Sequence, residues 1–209
     1  MVCSHGSSED HLMVDVALTL CWDEFINQVQ HPDKSGELKH ASLTEDLAAW
    51  TKLMTDVVVL ACNALGWEAA ARRHRSSRLP EPASEYLSLD AMAFPTKEST
   101  TATWPLPLAV FVLENSPRDE TVGYSLWKVL FVRAPLRLVF AYRRDWDQTR
   151  GLVDYLSRVV IGSLSPAERV SICGYIALIT GSRGESEIFP HGYFKLWNLD
   201  ANLGKFERN

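Results

Sequence analysis

A run of six apolar residues at positions 108–113 constrains the fold of this chain more than any other segment. The run, Leu-Ala-Val-Phe-Val-Leu, contains no polar residue, and such a run is typical of a central strand that is covered on both faces. A helical pattern at residues 123–134 follows and is stopped by Pro135, and residues 136–142 have the pattern of another strand. A helix between two apolar strands favours a crossover connection, so we expect the two strands to pair in parallel.

The remaining segments extend this unit into an α/β protein with a mixed central β-sheet flanked by helices. A short first helix is predicted at residues 14–29, and the polar segment 31–36 is interpreted as a break after it. A long helix is predicted to begin at a capping box formed by Ser42 and Glu45 and to end at Gly66. Further strands are predicted at residues 85–94, 170–180 and 193–199, a turn at 181–184, and a further helix that ends at Gly162, with Asp145 and Gln148 as its cap.

The length of 209 residues suits one domain with a substantial core, because 46% of the residues are apolar. We divide the chain into an N-terminal segment at residues 1–38, partly flexible and carrying the short first helix, and a single α/β domain at residues 39–209. No stretch approaches the ~20 consecutive apolar residues of a membrane span, and the polar start does not have the pattern of a secretory signal. A soluble, cytoplasmic protein without membrane association is therefore expected.

The cysteines are widely spaced and are expected to be reduced structural thiols. Neither a Cys-x-x-Cys pair nor histidines at zinc-ligand spacing accompany them. Most of them lie in apolar surroundings, where a thiol behaves as a small apolar side chain. The four positions are Cys3, Cys21, Cys62 and Cys173.

A net charge of −5 gives no general attraction to nucleic acid, because non-specific binding depends on many contacts from Lys and Arg to phosphates. Local clusters of arginine would have to provide that attraction, and solvated surface arginines are the alternative interpretation. The first cluster is Arg72, Arg73, Arg75 and Arg78, and the second is Arg133, Arg137, Arg143 and Arg144.

Two carboxylates and a lysine form the candidate site. Asp90 lies near the end of one predicted strand and Glu114 directly follows the apolar run, so neighbouring strands would bring them together. Lys128 lies on the following helix, on an apolar stripe with Tyr124, Trp127 and Phe131, where an ammonium must reach either water or a carboxylate. Such a set can hold Mg²⁺ and stabilise a phosphate under attack. Solvated strand ends and a lysine that reaches solvent are the alternative.

This arrangement resembles the PD-(D/E)XK nuclease superfamily over roughly residues 42–145. The resemblance is carried by Tyr-Leu-Ser-Leu-Asp at 86–90, Phe-Val-Leu-Glu-Asn at 111–115 and Tyr-Ser-Leu-Trp-Lys-Val-Leu at 124–130, with a strand after the last segment. Members have a helix, a strand hairpin that carries the acidic residues, and then a helix and a further strand. The resemblance implies a restriction-endonuclease-like fold and hydrolysis of phosphodiester bonds in DNA or RNA.

The chain departs from the superfamily pattern at the lysine, because Ser116 stands two residues after Glu114 and no proline-aspartate pair precedes the first acidic strand. Some members carry the lysine on the following helix, which Lys128 matches. The resemblance then implies Asp90 and Glu114 as ligands of Mg²⁺ or Mn²⁺, with the main-chain carbonyl of Asn115 as a third ligand. Lys128 would be the charge beside the attacking water.

Two functions follow from these residues, and the sequence leaves both open. The first is a divalent-metal-dependent nuclease. The alternative is a non-catalytic binding or regulatory protein on a degenerate nuclease fold, with another protein or a second copy as partner; the acidic net charge and Ser116 motivate it, and so do the seven tryptophans. A hydrolase with a serine nucleophile has little support, because Ser182 and His191 are better explained as turn and loop residues. The candidate interface tryptophans are Trp67, Trp104, Trp146 and Trp197.

Overall fold

A computed structural model of the chain describes residues 8–79, 87–96 and 104–208, and the side chains of these from residue 16 onward. It has the predicted class, an α/β fold with a seven-stranded mixed sheet between two layers of helices. The helices are α1 (Ser8–Gln30), α2 (Pro32–Leu43), α3 (Leu47–Ala64), α4 (Asp119–Leu130), α5 (Trp146–Tyr155) and α6 (Pro166–Val170). The strands are β1 (Trp67–Ala71), β2 (Ala91–Pro95), β3 (Ala109–Glu114), β4 (Leu136–Arg143), β5 (Tyr175–Ser182), β6 (Phe194–Asp200) and β7 (Lys205–Arg208).

The order of strands in the sheet is the order of strands along the chain. The central strands β3, β4 and β5 are parallel, and the pairs on either side of them are antiparallel. Ala109 lies opposite Leu136 and Glu114 lies opposite Ala141, which confirms the predicted parallel pairing of the apolar run. The central strands therefore end at the same edge of the sheet.

Two hydrophobic layers cover the sheet, and alternate residues of β3 enter different layers. Phe111 and Leu113 belong to the layer that contains α1 and α3, whereas Val110 and Val112 face α4 and α5. Burial on both faces explains why this strand has no polar alternation. In the first layer, the Phe25 ring of α1 lies 5.2 Å from the ring of Phe140 and 5.2 Å from that of Phe194.

The start of the chain departs from the prediction at the break and at the capping box. The predicted first helix is present and longer than expected, and it ends at Gln30, where the break was predicted. The break is confined to His31, because residues 32–36 already form the start of α2. Pro32 occupies the first turn of α2, where its missing N–H is not needed, and the His31 ring accepts a hydrogen bond from the Asp33 amide. The predicted boundary between residues 38 and 39 falls inside this helix.

The predicted capping box is wrong, because the long helix α3 begins at Leu47 and Asp46 is its cap. The Asp46 carboxylate accepts a hydrogen bond of 3.0 Å from the Ala49 amide. Ser42 instead lies buried in α2, with its hydroxyl 2.6 Å from that of Ser186 and 3.0 Å from that of Tyr193. The residue that resembled a helix cap therefore joins the beginning of the fold to its end.

The other differences between the predicted and the observed elements concern short elements and the residues at which longer elements begin and end. Three short elements were not predicted: β1, β7 and the helix α6. α6 includes Val170, the first residue of the strand predicted at 170–180, and β5 begins only at Tyr175. The predicted turn at 181–184 is wrong at its start, because Gly181 lies inside β5. The predicted strand 85–94 is wrong at residues 87–90, because these residues form a turn and β2 begins only at Ala91; residues 85 and 86 lie outside the described residues. α4 begins at Asp119, four residues before the predicted start, because the acidic first turn suits a helix N-terminus.

Within the described part of the chain, α3 is the helix long and apolar enough to cross a membrane. Half of its residues are buried, and it packs against α1, α2 and β1. This burial is consistent with a core helix of a soluble protein.

The prediction of reduced thiols holds for Cys21 and Cys62, which are free and buried, and is wrong for Cys173, which is disulfide-bonded. Cys3 lies outside the described residues. Burial raises the pKa of Cys21 from 9.0 to about 12. Burial also raises the pKa of Cys62 well above its usual value, and the neighbouring Cys21 adds to that effect.

We expect neither Cys21 nor Cys62 to react with iodoacetamide in the native protein at about pH 8, because the thiolate is the reacting form and burial suppresses it. Mass spectrometry of the peptides that contain these cysteines would measure the labelling. The same reagent in denaturant should label both residues. Fast native labelling of either thiol would contradict the burial described above.

Candidate functional site

Several polar residues meet at the edge of the sheet where the parallel strands end. Glu114, Arg143 and Ser182 are the last residues of β3, β4 and β5. Asp90 lies at the same edge, because β2 runs antiparallel to β3, and its amide donates a 3.1 Å hydrogen bond to the Phe111 carbonyl. Ligands of open α/β sheets bind outside the carboxyl ends of the strands, so this edge is the candidate site.

Asp90 is bound to the main chain of β3. Its Oδ2 atom accepts a 2.8 Å hydrogen bond from the Leu113 amide, one residue before Glu114. Leu87 and Ser88, which precede it, both have a φ of 55°, a conformation that is uncommon outside glycine. The strained segment turns the chain into β2 and sets the Asp90 carboxylate against the end of β3.

Glu114 is half-buried, and its carboxylate is held by neutral donors. Oε1 accepts a 2.8 Å hydrogen bond from the Ser116 amide, and Oε2 accepts a 3.0 Å hydrogen bond from the Ser125 hydroxyl of α4. Among the described residues, no Lys, Arg or His nitrogen lies within 4.0 Å of this carboxylate. No described side chain therefore forms an ion pair with Glu114.

Lys128 lies at the same end of the sheet, although it does not bind Glu114. Its ammonium donates a 2.5 Å hydrogen bond to the main-chain carbonyl of Ser88, two residues before Asp90. It thus reaches a carbonyl oxygen, whereas the sequence predicted either water or a carboxylate. The structure therefore brings Asp90, Glu114 and Lys128 to one end of β2 and β3.

The apolar stripe that accompanies Lys128 lies on the protein surface and not in an apolar interior. Tyr124, Trp127 and Phe131 are 62%, 47% and 70% exposed. The buried side of α4 is formed by other residues, among them Val122 and Leu126. The periodicity showed that these residues share one face of α4. It could not show whether this face or the face with Val122 and Leu126 packs against the sheet.

Asn115 directs its side chain toward the opposite layer of helices. Its Nδ2 atom donates a 2.7 Å hydrogen bond to the Thr51 hydroxyl of α3, and its Oδ1 atom is buried without a hydrogen-bond partner. Glu114, the last residue of β3, therefore faces α4, and Asn115, which follows it, faces α3, so the alternation of the strand continues for one residue beyond its end. The metal ligand that the resemblance implies at Asn115 is its main-chain carbonyl and not this side chain.

Polar residues on the α3 side of this edge were not predicted. The Tyr142 hydroxyl and the Trp50 indole N–H are buried without a well-formed hydrogen bond to a described residue. Burial raises the pKa of Tyr142; the nearby Trp50 indole N–H and the Arg183 charge lower it, whereas Tyr193 and the Asp90 charge raise it. These residues were missed because aromatic residues at the ends of apolar runs look like core residues in a sequence.

The two arginine clusters are only partly on the surface, so their interpretation as basic patches is wrong for three residues. Arg78, Arg137 and Arg143 are buried. Arg143 donates 3.2 Å and 2.8 Å hydrogen bonds to the Ser116 and Tyr142 carbonyls, and its guanidinium lies 2.6 Å from the Asp119 carboxylate. Arg143 thereby stabilises the turn between β3 and α4. This turn contains Ser116, whose amide donates the hydrogen bond to Glu114. The arginines that stay exposed are Arg72, Arg73, Arg75, Arg133 and Arg144.

The described residues contain no group of three or more His, Cys, Asp or Glu side chains that could hold a metal ion. A cation at this edge would therefore rely on Asp90 and Glu114 together with main-chain oxygen, water or substrate. No protein-family model, curated protein or solved structure matches this chain.

Proposed function

We propose that the chain is a divalent-metal-dependent nuclease with a restriction-endonuclease-like arrangement, acting on phosphodiester bonds of DNA or RNA. In support, α3, the antiparallel pair β2 and β3, α4 and β4 follow one another in the order that the superfamily resemblance implies, and β1 is an additional strand between α3 and this pair. The observation that carries the proposal is the half-buried Glu114 carboxylate, which lacks a described cationic partner and lies beside the residue that binds Asp90.

The donor set suits Mg²⁺ or Mn²⁺. Mg²⁺ in proteins is held by one or two carboxylates, and water or substrate phosphate completes its coordination. A carboxylate has about four lone-pair sites, and the two hydrogen bonds to Glu114 leave room for a cation. Asp90 and Glu114 would hold the cation, and the carbonyl of Asn115 would be a further oxygen ligand. A bound cation supplies charge neutralisation at a scissile phosphate and a lower pKa for bound water.

Three side chains would prepare the site. Ser125 and the Ser116 amide hold both oxygens of Glu114, so the carboxylate is oriented before a cation binds. Lys128 adds a positive charge beside the segment that carries Asp90, where it would attract a substrate phosphate. Exposed Arg144, next to the end of β4, would contribute to binding of the nucleic-acid backbone.

A second candidate is a non-catalytic binding or regulatory protein on the same scaffold. It is favoured by the engagement of each predicted catalytic group with the main chain: Asp90 with the Leu113 amide, Glu114 with the Ser116 amide and Lys128 with the Ser88 carbonyl. In that case these residues would stabilise the strand ends, and the partner would be another protein or a second copy. A cytoplasmic location is part of both proposals.

The decisive experiment uses the purified full chain with double-stranded DNA, single-stranded DNA and RNA, each with Mg²⁺, with Mn²⁺ and with EDTA. We expect cleavage of at least one substrate, and we expect EDTA to abolish it. Isothermal titration calorimetry with Mn²⁺ alone gives a readout that does not depend on the substrate. Cation binding without any cleavage would favour the second candidate, and the lack of both would reject the metal site.

A further inference from the structure

Lys195 of β6 lies in the same row of the sheet as Glu114 of β3. Direct register partners connect the two positions across β4 and β5: Glu114, Ala141, Thr180 and Lys195. Neighbouring strands are about 4.8 Å apart, so three steps place the main chain of Lys195 about 14 Å from that of Glu114. The Glu114 carboxylate faces α4 and the Lys195 ammonium faces α5, so both groups lie on the same face of the sheet.

The ammonium of Lys195 is held by an aromatic ring and not by a carboxylate. It lies 3.2 Å from the centroid of the ring of Trp146, the first residue of α5, and both side chains are half-buried. Among the described residues, no Asp or Glu oxygen lies within 4.0 Å of this ammonium. The ring thus orients the lysine, and the positive charge stays available for a further partner.

Two arginines lie close to Lys195. Arg208 ends β7 and Arg150 lies in the second turn of α5, and both are exposed. Burial lowers the pKa of Lys195, and the Arg208 and Arg150 charges lower it further. The Glu185 carboxylate acts in the opposite direction. Arg150 is paired with Asp147, whereas Arg208 forms no ion pair with a described residue. A bound phosphate would relieve the repulsion among these cations.

Arginines also follow the two strands between Glu114 and Lys195. Arg144 follows β4 and Arg183 follows β5. The Gly184 amide donates a 2.7 Å hydrogen bond to the Arg144 carbonyl, which holds the two connections side by side. Neither arginine forms an ion pair within the described part of the chain. The edge of the sheet from β4 to β6 therefore carries positive side chains that the described carboxylates do not bind.

A turn after β1 places an arginine on the other side of the candidate site. Main-chain hydrogen bonds of 2.9 Å and 2.8 Å between Ala71 and His74 close the turn, and Arg72 is exposed at its tip. Ala71 lies opposite the residue that follows Asp90, so the tip is at the same edge of the sheet as Asp90. No described carboxylate pairs with Arg72. Positive side chains therefore lie on both sides of Asp90 and Glu114.

The length and the single row of these charges fit one strand of nucleic acid. Five strand steps separate β1 from β6, about 24 Å, and a stacked strand spans that distance with about seven nucleotides at its ~3.4 Å rise. A row of positive side chains follows one backbone, whereas a duplex presents two backbones on either side of a major groove about 12 Å wide. Proteins that bind single strands use such positively charged tracks, with sites of roughly 4–16 nucleotides.

We propose that the substrate is a single strand of DNA or RNA that crosses the edge of the sheet from β1 to β6. Arg72 binds the backbone on one side of the scissile phosphate. Lys195, together with Arg208, binds it on the other side, about four nucleotides away at the rise of a stacked strand. The position of the scissile phosphate rests on the proposed nuclease function, whereas the path of the strand is measurable as binding.

Fluorescence anisotropy of a labelled single strand of about 20 nucleotides, in EDTA, measures the path without cleavage. Lys195→Met keeps an aliphatic side chain on Trp146 and removes the charge, and Arg72→Gln removes the charge at the other flank. Each variant should raise the dissociation constant about fivefold at ~0.1 M salt and lower the slope of log K against log salt by about 0.7, as the loss of one single-strand phosphate contact does. The double variant should raise the dissociation constant about 25-fold, because the effects of distant sites are additive.

Arg133→Gln is the matched control for the loss of a positive charge. Arg133 is exposed and precedes β4, at the opposite edge of the sheet, so this variant should bind as the wild type does. Lys195→Arg keeps the charge and should bind within about twofold of the wild type. A duplex of the same length and polyglutamate should each compete at least about tenfold more weakly than the unlabelled single strand. Circular dichroism would show that each variant retains the fold.

The outcomes separate the strand path from the nuclease function. Wild-type affinity in Lys195→Met and Arg72→Gln, or an equal loss in Arg133→Gln, would exclude this path even if the wild type cleaves nucleic acid. A duplex or polyglutamate that competes as well as the single strand would contradict the single-strand assignment. Weaker binding in the two flank variants, with a wild type that cleaves nothing in Mg²⁺ or Mn²⁺, would reject the nuclease function and support the path.

Discussion

Gly174→Ala is expected to lower the free energy of unfolding by about 3 kcal/mol or more, through backbone strain and overpacking. Gly174 has a φ of +83°, and a Cβ atom there would lie 2.4 Å from the Pro135 carbonyl oxygen. The same carbonyl accepts a 2.8 Å hydrogen bond from the Tyr175 amide, at the start of the β4–β5 pairing. The main chain at Pro135 cannot move away without opening the central strand pair.

Gly36→Ala is the matched control, with the opposite expected sign. Gly36 lies within α2, and a Cβ atom there would meet nothing within 4 Å. Replacement of an open helical glycine by alanine stabilises by roughly 0.5–1 kcal/mol. Urea denaturation of both variants and the wild type gives the comparison. A Gly174→Ala variant as stable as the wild type would show that the Pro135 carbonyl does not constrain this position.

Asp90→Asn and Glu114→Gln are each expected to reduce metal-dependent cleavage by about 10²-fold or more, because each removes a negative charge from the proposed cation site. The proposed nuclease function is the basis of this expectation. Each new amide side chain keeps one carbonyl oxygen to accept from the Leu113 or the Ser116 amide. In Glu114→Gln the amide nitrogen would donate to the Ser125 hydroxyl, which donates to the carboxylate in the wild type. The fold should therefore change little, and the loss of activity would report on charge.

Glu120→Gln is the control for these variants, because Glu120 is an exposed carboxylate near the start of α4 and lies outside the proposed site. It should cleave as the wild type does. Lys128→Met should lower cleavage while Mn²⁺ binding, measured by calorimetry, stays near the wild-type value, since the lysine is not a ligand. Cleavage by Asp90→Asn and Glu114→Gln at the wild-type rate would place the active centre elsewhere on the protein.

The central part of the fold could be predicted from the sequence because its signals are local and strong. The apolar runs of β3 and β4 and the helical period of the crossover helix α4 are the patterns that their burial requires. β1 could not be predicted in this way. Its sequence, Trp-Glu-Ala-Ala-Ala, favours a helix by propensity, and it is a strand because it pairs with β2 and packs against α3.

The start of α2 shows how one residue type can carry opposite signals. Pro32 was interpreted as a break after the first helix, whereas proline is also favoured in the first turn of a helix. The outcome depends on whether the following residues can bury an apolar face. Leu38 and Ala41 do so against the core, but this contact is not visible in the local sequence.

The candidate site could be predicted as a set of residues but not as a set of contacts. Asp90 and Glu114 could be placed at one sheet edge because antiparallel and parallel pairing follow from the element order. The hydrogen bond from Lys128 to the Ser88 carbonyl depends on the positive φ of Leu87 and Ser88, which neither residue type favours. The strained segment is thus a tertiary feature, and the sequence alone gives no sign of it.

The agreement between strand order and chain order has a consequence for how the fold is assembled. Each strand pairs with the next one in the chain, so the sheet is built from pairings with small sequence separation. Among the described residues, contacts of large separation belong to the N-terminal helices instead, as in the hydrogen bond between Ser42 and Tyr193 across 151 residues. The main loop-closure entropy therefore arises in docking α1 onto β5 and β6 and α2 onto the segment between these two strands, and not in forming the sheet.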